Sequence, residues 1–197
     1  MAEEVDAGGP EVPAEPAEER PAGKRRRRRG KGAGSGSGQA RAAQYWLLVS
    51  TPDNFRRSRE HGFSVQGIKS IHKRRIETLA QGDRILYYVS GRMAFAASAT
   101  VTGATYEDHT PIWKADRREE DYPWRIPIRP DVVLEETDWI PARHLAFRLE
   151  YIKKWPPESW ALAFQGQLHQ LPKVDFKLLE DELKRIARPK RGERAAS

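Results

Sequence analysis

Two apolar runs, Ile85–Val89 and Met93–Val101, are separated only by Ser90-Gly91-Arg92. A connection that short leaves them little choice but to pair as a hairpin. Gly82-Asp83 turns the chain into the first run and Gly103 closes the second. Apolar residues occupy both faces of each run, which predicts a sheet covered on both sides, as in a small curled barrel. Ala94, Ala96, Ala97 and Ala99 are weak strand formers. A row of small side chains does, however, admit a second backbone or a flat ligand, so this hairpin is expected to wall the functional pocket.

Around the hairpin the chain reads as alternating short strands and helices. Tyr45–Ser50 is a strand of aromatic and aliphatic residues, and Thr51-Pro52 caps and opens a helix that stops at Gly62. Residues 70–80 place Ile71, Ile76, Leu79 and Ala80 near one helical face. Residues 126–132 alternate as a strand that Pro127 and Pro130 restrict to an edge or a bulge. Residues 141–154 read as one or two short helices, residues 164–171 as another strand. Pro172 then opens a final helix to about 187, with Val174, Leu178, Leu179, Leu183 and Ile186 as its apolar stripe.

The 197 residues suit one core plus tails. The absence of cysteine excludes disulfides, thiol chemistry and Cys-ligated zinc. No stretch approaches the ~18 consecutive apolar residues of a membrane span, and no signal-peptide core is visible at the N-terminus, so a cytoplasmic protein with no membrane partner is expected. The net charge is +7, but residues 43–183 carry 20 basic and 20 acidic side chains. Residues 1–42 carry nine and seven, and residues 184–197 six and one. The folded part is therefore not a basic platform, and any broad electrostatic grip on phosphates belongs to the tails or to a local stripe. Residues 1–42, rich in Pro, Ala and Glu and then in Arg, Gly and Ser, should be disordered. Their Lys24–Lys31 run is either an arm for nucleic acid or a solvated tail. The expected division is tail 1–42, domain 43–187 and basic tail 188–197.

The order and spacing of several motifs resemble an EVE domain, in the PUA-like superfamily that also holds YTH domains. They are Tyr45-Trp46-Leu47, Thr51-Pro52-Asp53-Asn54-Phe55, Gly62-Phe63 through Gly67-Ile68, Gly82-Asp83 with Tyr87-Tyr88-Val89, Asp108–Trp113, Tyr122-Pro123-Trp124-Arg125 and Phe164-Gln165-Gly166. The resemblance covers about 45–187. It implies an α+β fold, a PUA-like curled mixed β-barrel flanked by helices, whose pocket receives a modified or flipped-out base. It places Phe63, with Ser64 beside it, where YTH domains carry a Trp, Trp113 in the loop that supplies a second aromatic wall, and Ser50, Thr51 and Asn54 at the base edge.

The expected pocket is thus Ser50, Thr51, Asn54, Phe63, Ser64, Tyr88 and Trp113. Trp113 ends a polar loop where a large aromatic needs a reason, whereas Trp46 and Trp124 sit in strand patterns that favour packing. Trp139, Trp155 and Trp160 are expected to cover the edge of the core. Lys73, Arg74 and Arg75 are either phosphate contacts or a solvated helix face. The partner is DNA or RNA containing a modified base, without cofactor or metal, and a monomer is expected. The reading from another class is a nucleic-acid hydrolase or nuclease using Asp108 and His109. A third is an RNA or ribosome accessory factor held by its basic tails. The histidines lack metal-ligand spacing, and no Gly-x-Ser-x-Gly or phosphate loop is present, so a non-catalytic binding module is expected.

Overall fold

A computed structural model describes residues 41–115 and 121–188. The Lys24–Lys31 run, nearly all of the expected N-terminal tail and the basic residues after Arg188 lie outside them. The strands are β1 (Tyr45–Ser50), β2 (Val65–Ile68), β3 (Arg84–Val89), β4 (Ala94–Val101), β5 (Tyr106–Glu107), β6 (Trp124–Val133), β7 (Ile140–Pro141) and β8 (Leu168–Gln170). The α-helices are α1 (Pro52–Glu60), α2 (Lys73–Ile76) and α3 (Lys173–Ala187), with short 3-10 turns between elements.

The strands form one mixed sheet in the order β2-β6-β4-β3-β1-β8, with β5 added to β6 and β7 to β4. Only β1 and β3 run parallel, and the other pairs are antiparallel. The sheet curls into a half-barrel because β6 changes partner along its length: Trp124–Pro127 pairs with β2, and Ile128–Val133 pairs with β4. Pro127 stands at that change and Pro130 at the register shift between Ser98 and Ala99. The two prolines thus sit where a missing N–H interrupts least.

The β3–β4 hairpin forms as expected, its turn closed by Met93 in the left-handed region with φ 49°. Both strands are buried on both faces. One face joins a cluster built on Leu47, Leu86, Phe95, Phe164, Phe176 and Leu183, and the other a cluster built on Leu48, Phe55, Ile85, Tyr87 and Ile126. The expected role for the alanine row is therefore corrected. Ala96, Ala97 and Ala99 pack in the second core cluster, and the two strands of the hairpin are the middle of the sheet rather than a pocket wall.

The Thr51 cap is present, its hydroxyl accepting from the Asn54 N–H at 3.2 Å, with Pro52 in the first turn. The expected helix at 70–80 contracts to a 3-10 turn and the four residues of α2. Ile71, assigned to its buried face, is 77% exposed. In α3 the stripe is Phe176, Leu179 and Leu183, while Val174 faces solvent. Asp175 carries no stripe role at all: its carboxylate accepts from the backbone N–H groups of Glu150 and Tyr151 and ties the helix to the 141–154 segment, which consists of 3-10 turns. Trp139, Trp155 and Trp160 lie half-buried against the core, as expected.

Candidate functional site

A cleft of about 220 Å3 opens where the end of β1, the start of α1, β2, the 69–72 loop, the Trp113 loop and the 166–167 turn meet. Its floor is a chain of buried polar groups. The Trp113 indole N–H donates to Ser58 Oγ at 2.9 Å, and Ser58 lies 3.2 Å from Gln66 Oε1, which also accepts from the Tyr87 hydroxyl at 3.1 Å. Burial holds the Tyr87 phenol protonated well above its ordinary range, so it stays a donor. Gln66 and Gln167 both donate to the Gly67 carbonyl, at 2.9 and 3.2 Å, and Gln167 Oε1 accepts from the Lys69 N–H at 2.8 Å. Networks satisfied in this way are rigid, because each missing bond would expose an unpaired group in a low-dielectric interior.

Trp113 is held in place from three sides. Its indole N–H is committed to Ser58. The Arg125 guanidinium lies 4.7 Å from its ring centroid, a cation–π arrangement. Gly67 lies under the ring so closely that a Cβ there would come 2.4 Å from Cε3. Arg125 is 2% exposed, donates to the Thr110 carbonyl and has Asp108 at 3.8 Å. Burial lowers its proton affinity, which Asp108 partly restores. Tyr122 completes the wall, its ring centroid 6.2 Å from that of Trp113.

Of the residues expected at the pocket, Ser50, Thr51, Asn54 and Trp113 do line the cleft. Phe63, Ser64 and Tyr88 do not. Gly62 and Phe63 both have positive φ, 64° and 48°, and this reversal turns the Phe63 ring inward between Phe55 and Tyr87, at 5.3 and 5.5 Å. Tyr88 stacks on Phe164 at 4.4 Å on the other side of the sheet. Ser64 is exposed and bonds the His61 carbonyl. The second aromatic of the cleft is instead Tyr122, which the sequence reading left out along with Gln66, Lys69, Ile71, His72, Ser90 and Gln167. Gln66, Lys69, Ile71 and His72 follow or flank Gly67 and Gln167 follows Gly166 in the sequence, whereas Tyr122 and Ser90 reach the cleft only through the fold.

Asn54 is in the cleft but in another role. Its amide donates to the Lys114 carbonyl at 2.9 Å and the Tyr122 hydroxyl at 3.1 Å, and accepts from the Lys114 N–H at 2.8 Å. Both amide protons are used, so Asn54 clamps the Trp113 loop to α1 and leaves little for a ligand edge. The basic run is divided in the same way. Lys73 lies 4.7 Å over the Trp124 ring, Arg75 bonds the Leu168 carbonyl, and Arg74 stands exposed. Asp108 and His109 turn to separate partners. Asp108 accepts from the Thr110 N–H at 2.8 Å, which holds its carboxyl below the usual range. His109 lies exposed, 3.2 Å from both Glu107 and Asp121.

This curled half-barrel with flanking helices is the fold class of YTH domains. The YTH domain of Zygosaccharomyces rouxii MRB1, solved in complex with N6-methyladenosine RNA, superposes with TM-score 0.52 at 17% identity, over 73% of this chain and 86% of that one. The Pho92 YTH domain, solved in complex with m6A, gives TM-score 0.53 at 14% identity, over 72% and 84%. Within that class the chain belongs to the EVE domain family, whose model matches residues 44–167. The match ends at the 166–167 turn, before β8 and α3. The UPF0310 protein PYRAB08750 of Pyrococcus abyssi is 28% identical over 148 residues, 71% of this chain and 99% of the relative. No helix among the described residues is long and apolar enough to cross a membrane.

Proposed function

We propose that this chain is a non-catalytic reader that receives one unstacked, modified base of a DNA or RNA strand in the Trp113 cleft. The observation that carries the reading is the cleft itself. It is smaller than the roughly 300–1,000 Å3 of pockets for drug-sized ligands, and it is walled by two aromatic residues fixed in place before any ligand arrives. Family membership supports it, as do the two YTH domains of the same fold, whose structures contain N6-methyladenosine. The reading with Asp108 and His109 as catalysts has less support, because neither lines the cleft, Asp108 accepts from the Thr110 N–H, and His109 lies exposed beside Glu107 and Asp121.

Magnitudes limit what such a site does. Stacking on an aromatic ring contributes about 1–3 kcal/mol per base. Burying one additional methyl adds about 0.8 kcal/mol, a factor of roughly four. Larger discrimination requires a polar group left unpaired by the wrong base. Asn54 is committed to its loop, so that penalty falls to Thr51, Ser50, Ser90 and His72 at the rim.

The test is a titration of the full chain with single-stranded RNA carrying one central N6-methyladenine, the same RNA unmodified, and DNA carrying one 5-methylcytosine. The reading predicts one-to-one binding of at least one modified strand, tighter than its unmodified counterpart, insensitive to EDTA and without product. Turnover of any strand, or equal affinity for all of them, would contradict it.

A further inference from the structure

We infer that His72 reads the edge of the bound base, its neutral imidazole accepting an N–H from that base. The inference rests on the reading of the cleft as a base-binding site. His72 ends the 3-10 turn Ser70–His72 and lines the cleft together with Trp113 and Tyr122.

The polar side chains around it are largely engaged. Asn54 holds Lys114 and Tyr122, Gln66 holds Ser58 and Tyr87, Gln167 holds the Lys69 N–H, and Thr51 caps α1. His72 is the exception. Its backbone N–H closes the turn onto the Lys69 carbonyl, while neither ring nitrogen is held by any of the described residues. A neutral imidazole offers one donor and one acceptor, which matches a base edge, where N–H groups and ring nitrogens or carbonyls alternate.

The surroundings keep the ring neutral. Partial burial is the larger cause, and the positive charges facing it act in the same direction. Arg75 approaches from α2, Lys69 from the same loop and His169 from β8, whose ring is itself held neutral chiefly by burial. Protonation would remove the acceptor. Affinity is therefore full above the usual histidine range of about 6.5 and falls as pH drops through the lower value of the folded protein. A histidine that met phosphate would do the opposite, gaining affinity when it acquired charge.

The sign of the pH dependence decides the matter. The probe is a single-stranded RNA with one central N6-methyladenine, titrated by fluorescence anisotropy into the full chain and its His72→Gln and His72→Phe variants between pH 5 and 8. We expect wild-type affinity to fall at low pH. His72→Gln should retain near-normal affinity at pH 7.5, because the amide still accepts, and should lose the pH dependence. His72→Phe should bind roughly three- to tenfold more weakly at pH 7.5, the loss of one hydrogen bond. Affinity that rises on acidification, or a fall unchanged in both variants, would overturn the assignment of His72 while leaving the cleft reading intact. No binding by the wild-type chain to this RNA or to the 5-methylcytosine strand would overturn both.

Discussion

Gly67→Ala is expected to weaken base binding by roughly ten- to a hundredfold while the chain still folds. The added Cβ would lie 2.4 and 2.5 Å from two atoms of the Trp113 ring and 2.7 Å from Arg125 Nη1. Arg125 is buried and bonded to Thr110, and the Trp113 ring is anchored at Ser58, so neither neighbour can yield without giving up a partner. Overpacking of this kind costs about 1–3 kcal/mol of stability. The displaced ring would also forfeit the stacking energy of about 1–3 kcal/mol per base. Gly103→Ala is the matched control, since its Cβ would meet only Pro127 at an ordinary 3.5 Å and should alter neither melting nor affinity. Melting curves and oligonucleotide titrations of both variants provide the check.

Asp83→Ala should give the largest loss of stability without touching the cleft. The carboxylate is 1% exposed. It accepts from Arg41 through both oxygens, at 2.6 and 2.7 Å, from the Gln44 N–H at 2.8 Å, and from the Trp46 indole and the Ala80 N–H at 3.2 Å each. Alanine would strand three of those donors beside the core, at about 1–3 kcal/mol for each group left unpaired, so a total above about 3 kcal/mol is expected in urea unfolding. Arg41→Ala should cost under about 1 kcal/mol, because its side chain is 42% exposed and screened by solvent. Equal losses for Asp83→Ala and Arg41→Ala would show that the ion pair, rather than the cluster of donors, holds this corner.

The sequence made the sheet legible where local chemistry leaves one outcome. Three residues between two apolar runs dictate the β3–β4 hairpin, and Thr51-Pro52 marks the start of α1. The direction in which an aromatic residue points was less legible. Phe63 and Trp113 both follow turn-rich stretches, and only the folded chain separates them. Two consecutive positive φ angles turn Phe63 into the core, whereas Gly67 gives Trp113 a place to lie at the cleft. Trp113, at the end of a polar loop, is nonetheless 6% exposed with a bonded indole. Asn54 lines the cleft, and its partners in the Trp113 loop, 60 residues away in sequence, are visible only in the folded chain. Arg41 was assigned to the tail, and only its long-range pairing with Asp83 draws it into the fold.

The central claim is that a base stacks on Trp113, and the indole N–H resonances test it most directly. The chain has six tryptophans, so a nitrogen-15 tryptophan-labelled sample gives six indole signals, and Trp113→Phe identifies the one that matters. Titration with the modified single strand that binds tightest should shift the Trp113 signal most. Trp46, sealed in the core and bonded to Asp83, should stay fixed. A Trp113 signal that remains in place while that of Trp124, under Lys73, moves instead would put the bound strand on the outer surface and contradict the account.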